Sequence, residues 1–115
     1  MAITAAHVIL FSPEAEAVRA FFRDVVGWQN VDAGHGWLIF AAPPTELAVH
    51  PSEGSTQHEL HLHCDDLEAT VAELRAKGVE FRGEPEERDY GIQATMVLPG
   101  GVEVGLYEPR HETAV

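Results

Sequence analysis

Glu59, His61 and His63 recur at every second position of one short run, His58-Glu59-Leu60-His61-Leu62-His63-Cys64-Asp65. Side chains alternate across a β-strand, so this spacing puts one carboxylate and two imidazoles on one face and Leu60, Leu62 and Cys64 on the other. Imidazole and carboxylate together suit zinc, nickel, iron or manganese. The same pattern also suits the solvated face of a half-covered sheet, and the strand by itself leaves both readings open. Two further runs carry the same alternation. In Glu46-Leu47-Ala48-Val49-His50 the glutamate and histidine share a face, and in the run from Val102 to Tyr107 Glu103, Gly105 and Tyr107 do. His7 opens an apolar run, His7-Val8-Ile9-Leu10-Phe11.

Elements that position these residues are legible on either side of them. His7 to Phe11 is rich in β-branched and aromatic residues and reads as a strand. Ser12-Pro13-Glu14 supplies a capping hydroxyl, a proline for the first turn and an acid beside it, which predicts a helix start. Val18, Phe21, Phe22 and Val25 then mark one helical stripe, and Gly27 stands where a left-handed cap ends it. Trp28 to Val31 and Trp37 to Ala41 read as a hairpin turned by Gly34-His35-Gly36. Glu46 to His50 follows as a strand, and Pro51 to Gln57 as a linker. After the strand from Glu59 to Cys64, Asp65 and Glu68 resemble a capping box, and Leu67, Val71 and Leu74 form a stripe that stops at Gly78. Val79 to Phe81 is a short strand, Arg82 to Gly91 a charged loop, Ile92 to Leu98 and Val102 to Tyr107 strands around a Gly100-Gly101 turn, and Pro109 to Val115 a tail.

Placing His7 on Glu59 lays the first helix on the second and brings Gly27 to within one position of Gly78. The chain is therefore two tandem β-α-β-β-β modules, about 5–51 and 57–109, in one domain spanning 1–115. Each is too small to bury its sheet alone. The fold class is α+β: the modules join as an open, bowl-like mixed β-sheet barrel with helices outside. The bowl would be lined by His7, Glu46, Glu59, His61, His63 and Glu103.

Bulk properties narrow the partners. The 115 residues hold 7 Lys and Arg against 19 Asp and Glu, a formal net charge of −12, which opposes nucleic acid and anionic membrane surfaces. No apolar run approaches the roughly 18 residues of a membrane span. Cys64 is the single cysteine and cannot form an internal disulfide, and Met1 to His7 lacks the pattern of a signal peptide, so the cytoplasm is expected. Cys64 faces the helix side as a small core hydrophobe rather than a nucleophile.

The chain resembles the vicinal oxygen chelate superfamily, which holds glyoxalase I, methylmalonyl-CoA epimerase, extradiol dioxygenases, and fosfomycin and bleomycin resistance proteins. The resemblance rests on His7 followed at spacing by Phe21-Phe22 and Val25-Val26-Gly27, then Glu46-Leu47, Cys64-Asp65-Asp66-Leu67, Lys77-Gly78-Val79-Glu80-Phe81, Tyr90-Gly91 and Leu98-Pro99-Gly100-Gly101. It implies a metal site built from four inward positions. His7 falls on the first and Glu46 on the second. The third, a histidine in the family, falls on Glu59, with His61 two residues on. The fourth, a glutamate in the family, falls on Gly105, which offers no ligand.

Two functions follow from the resemblance. In one, a divalent metal held by a set drawn from His7, Glu46, Glu59 and His61, with His7 and one or other glutamate at its centre, binds neighbouring oxygens of a small molecule, and whichever of Glu46 and Glu59 is not a ligand moves protons, as in a lyase, isomerase or dioxygenase. His50, His63, Glu103 and Tyr107 then line the substrate pocket. A two-residue shift moves a side chain roughly 7 Å along a strand, so not all these candidates can share one metal. In the other, the bowl holds no metal and sequesters a small molecule or antibiotic, with the same residues as hydrogen-bonding groups. The resemblance also implies a homodimer.

Overall fold

The computed structural model describes residues 7–51, 53–54 and 57–115. The predicted start of the first module at residue 5, the leader assessment of Met1 to Ala6 and part of the Pro51 to Gln57 linker lie outside the described residues.

Helix α1, Ala15–Ala20, runs directly into a π-helical stretch, Phe21–Val26. Gly27 ends it at φ 82°, and the N–H groups of Gly27 and Trp28 both donate to the Phe22 carbonyl, at 3.0 and 3.1 Å. That conformation is the reason for a glycine there. Strands β1, Asn30–Asp32, and β2, Leu38–Phe40, form an antiparallel hairpin. Its turn is held by Asp32, whose Oδ1 accepts from the N–H of Gly34 at 2.7 Å and of Gly36 at 3.2 Å, and it carries His35 at φ 56° between two glycines.

A five-stranded mixed sheet forms the rest. Strand β3, His61–His63, runs parallel to β7, Val102–Pro109; β7 pairs antiparallel with β6, Gly91–Leu98; β6 pairs with both β4, Glu80–Phe81, and β5, Glu86–Arg88. Between β3 and β4 lies α2, Leu67–Ala76, capped by Asp66, whose Oδ1 accepts from the Ala69 N–H at 3.1 Å. The architecture is mixed α+β, with two helices on one face of the sheet and no closed barrel among the described residues.

Alternation fixes the two faces of the sheet. Ile92, Ala94, Met96 and Leu98 of β6 and Val104 and Leu106 of β7 are buried with Val18, Phe21 and Phe22 of the first helix and Leu67 and Val71 of α2. Burial of side chains such as Leu67, Met96 and Val104 stabilises the fold by about 1.5–3 kcal/mol each. Ser12 Oγ donates to the Pro99 carbonyl at 2.8 Å, tying the entry of α1 to the β6–β7 turn. The opposite face carries the polar residues.

Four elements depart from expectation. The runs His7 to Phe11 and Glu46 to His50 form no strand, and apart from Leu10, which packs on the core, their large apolar side chains lie open: Phe11 is 86% exposed, Leu47 91% and Val49 87%. Strand propensity needs a partner for the backbone N–H and C=O groups, and neither run pairs with any strand of the described residues. The first strand of the second half is confined to His61–His63, shorter than the Glu59 to Cys64 expected. Conversely, the charged loop from Arg82 to Gly91 contains β5, an exposed strand whose charges suit a sheet edge.

Candidate functional site

Parallel pairing of β3 with β7 sets His61 beside Gly105 and His63 beside Tyr107. Antiparallel pairing of β7 with β6 adds Thr95 beside Gly105 and Gln93 beside Tyr107. Side chains of adjacent paired residues point to the same face, so His61, His63, Tyr107, Thr95 and Gln93 form one polar surface over the sheet.

Each imidazole on that surface has its own carboxylate. His61 Nε2 lies 3.1 Å from Glu59 Oε1, and His63 Nε2 lies 3.3 Å from Glu46 Oε1. A carboxylate accepts only, so in the His61 contact Nε2 is the donor and Nδ1 points away from Glu59. That Nδ1 sits over Gly105: a Cβ built there would fall 2.1 Å from it. The absent side chain at position 105 is thus the space in which the His61 ring lies. Beside this pair is a cleft of about 320 Å³, walled by His58, Glu59, His61, Thr95, Glu103 and Gly105. Glu103 is paired with the Arg82 guanidinium at its rim.

The second pair is the more enclosed, with the Glu46 side chain 22% exposed and that of His63 37%. It abuts a cluster of rings centred on Tyr107: His63 meets it edge-on at 5.5 Å, Tyr90 at 6.0 Å and His111 at 5.8 Å. Tyr107 donates its hydroxyl to the Tyr90 carbonyl at 2.9 Å. Burial first, then the neighbouring Tyr90 and Glu46, pushes its phenol above the usual range. Glu46 Oε2 also accepts the N–H of Ala114, so the C-terminal segment crosses this pair.

His7 and His50 are exposed and lie outside both pairs. The set His7, Glu46, Glu59 and His61 is therefore not gathered at one point within the chain: Glu59 with His61 and Glu46 with His63 are separate pairs. Among the described residues no three His, Cys, Asp or Glu side chains cluster as a metal would require. With Nε2 of His61 facing a carboxylate and Nδ1 facing the β7 backbone, this arrangement does not fit a metal centre within one chain. Cys64 is half-buried, its Sγ 3.8 Å from the Tyr107 carbonyl, and burial pushes its thiol up, which suits a core residue rather than a nucleophile.

Residues outside the sequence reading complete the surface. Thr95 and Gln93 follow from the alternation of β6, which places them opposite the buried Ala94 and Met96. Tyr90, His111 and Ala114 carry no such signal, because a loop and a tail have no period that fixes a face. A larger cleft of about 680 Å³ lies between the first helix and the β6–β7 turn, lined by Phe21, Val25, Val79 and Leu98 among others, and contains no imidazole.

Comparison with known proteins agrees with the fold. The Glyoxalase/Bleomycin resistance protein/Dioxygenase superfamily model matches residues 4–109. The crystal structure of TnmS3, an antibiotic binding protein from Streptomyces sp. CB03234, is similar at a TM-score of 0.62 and 29% identity, over 94% of this chain and 99% of that one. Lactoylglutathione lyase from Agrobacterium tumefaciens shares the fold at a TM-score of 0.65 and 16% identity, over 92% of this chain and 94% of that one. The manganese-dependent 2,3-dihydroxybiphenyl 1,2-dioxygenase of Geobacillus genomosp. 3 is 31% identical over 111 residues, 88% of this chain and 35% of the dioxygenase. The sheet, its two helices, the order of its glycine turns and the span of that match together make this chain a member of the Glyoxalase/Bleomycin resistance protein/Dioxygenase superfamily.

Proposed function

We propose that this chain binds a small molecule, of the antibiotic-sequestering kind, on the polar face of its sheet without a resident metal. The observation that carries the reading is the His61 ring seated over Gly105 with its Nε2 on Glu59. Of the side chains that resemble a metal set, Glu46, Glu59 and His61 are engaged in imidazole–carboxylate pairs, which serve a ligand as hydrogen-bonding groups. Similarity to an antibiotic binding protein over nearly the whole chain supports it. The net charge of −12 favours a cationic ligand.

The working form is a homodimer in which segments 7–11 and 46–50 gain strand partners and two β-α-β-β-β modules close a bowl around the ligand. A folded monomer of 12.6 kDa exposes about 6,200 Å² by size scaling, against 8718 Å² here. The radius of gyration, 15.1 Å, exceeds the about 13 Å of a compact domain of this length. Val8, Ile9, Phe11, Trp37, Leu47 and Val49 are the apolar side chains such an interface would cover. A free Cys64 suits a reducing compartment, the cytoplasm.

A second reading is a metal-dependent lyase, isomerase or dioxygenase, favoured by the similarity to a manganese-dependent dioxygenase. It requires the dimer to bring His7 or another donor to one of the two pairs. Protein purified without added metal or a nickel column, analysed for zinc, nickel, iron and manganese, separates the two. The binding reading expects well under one metal per chain and saturable binding of metal-free bleomycin by calorimetry. One tightly held metal per chain, lost in His7→Ala, supports the enzyme instead.

A further inference from the structure

The C-terminal segment shows what the enclosed Glu46–His63 pair can hold. Its base is fixed twice: the Arg110 N–H donates to the Tyr90 carbonyl at 2.8 Å, and the Arg110 guanidinium meets Glu87 at 3.3 Å. Beyond that base, the His111 ring lies 5.8 Å from Tyr107 at an interplanar angle of 34°. Thr113 is half-buried between exposed neighbours, and the Ala114 N–H donates to Glu46 Oε2 while Oε1 faces His63. Two contacts therefore hold the segment across the polar face: a flat heterocycle tilted against a tyrosine, and an N–H on a carboxylate.

A backbone N–H is a neutral donor. A cation in its place would make a charge-assisted bond roughly twice as strong, and would gain further from the Tyr107 ring. We propose that residues 111–114 form a strap that occupies a ligand site on Glu46, His63 and Tyr107, and that the site's ligand is a planar aromatic cation bearing N–H donors. The inference rests on the reading that this face binds small molecules, and adds the ligand class and the competing segment. A strap that covers the site most of the time lowers the apparent affinity by the fraction of molecules in which it is lifted.

The test uses proflavine, a planar aromatic cation with N–H donors, titrated by fluorescence into the 115-residue chain. Ala114→Pro deletes the donor to Glu46 at an exposed tail position, and a matched thermal melt confirms that the fold is kept. The expected result is saturable binding by the parent chain, tightened about five- to tenfold in Ala114→Pro. Glu46→Ala should lose about tenfold or more in both backgrounds. Unchanged or weaker binding in Ala114→Pro, with the Glu46→Ala loss retained, overturns the strap and leaves the binding site standing. Binding indifferent to Glu46→Ala, or no binding by either the parent or Ala114→Pro, overturns the site itself, whereas the broader small-molecule reading is decided by the metal and bleomycin measurements.

Discussion

The His61 imidazole lies across the backbone of Gly105, its paired neighbour on β7, so closely that a Cβ at position 105 would fall 2.1 Å from Nδ1. No real pair of atoms tolerates that separation, so the glycine and the ring position require each other. A position that reads as a missing ligand is a seat for a different side chain.

Gly105→Ala should therefore displace the ring and break the His61–Glu59 pair. The His61 side chain is 42% exposed and can swing outward, so the cost should be about 1–2 kcal/mol in urea unfolding, at the low end for overpacking. Adding His61→Ala should return most of it. Equal and additive effects of the two substitutions would show that the ring and the glycine are independent.

The apolar side chains of the first half predict association. Light scattering should give about twice the 12.6 kDa chain mass at micromolar concentration, and Leu47→Asp with Val49→Asp should shift it to the monomer. A monomeric parent protein would remove the dimer from the proposed function.

Helix α2 is fastened to β7 at its first turn, where the Leu67 N–H donates to Glu108 Oε1 at 2.9 Å beside the Asp66 cap. Glu108→Ala leaves that N–H without its partner and should cost about 1–2 kcal/mol, and Asp66→Ala about 1 kcal/mol. Chemical denaturation checks both, and a neutral Glu108→Ala would mean that water serves the N–H as well.

Burial holds the Cys64 thiol above its ordinary range. Its alkylation by iodoacetamide at pH 8 should be slower than that of glutathione, followed by mass spectrometry. The sign for stability follows. A folded value above the unfolded one contributes fully below the unfolded thiol's range and is lost as pH rises through the folded value. Cys64→Ala should flatten that alkaline loss, and an unchanged slope would assign it to other groups such as Tyr107.

Much of this protein is local and was legible in the order of its residues. Alternation by itself placed Glu59, His61 and His63, and separately Glu103, Gly105 and Tyr107, on common faces. The stripes Val18-Phe21-Phe22 and Leu67-Val71 named buried helix faces, and Gly27 and Gly78 marked helix ends. Each depends on the direction of a side chain relative to its own backbone, which a few neighbouring residues fix. What the alternation could not supply is which strands lie side by side. Only tertiary structure decided that Glu46 meets His63 rather than His7, that His61 rests over Gly105, that β5 joins the sheet edge, and that Ala114 reaches back to Glu46. It also left residues 7–11 and 46–50 without strand partners, because a strand is completed by hydrogen bonds from elsewhere in the chain or from another one, and no propensity within the segment provides them.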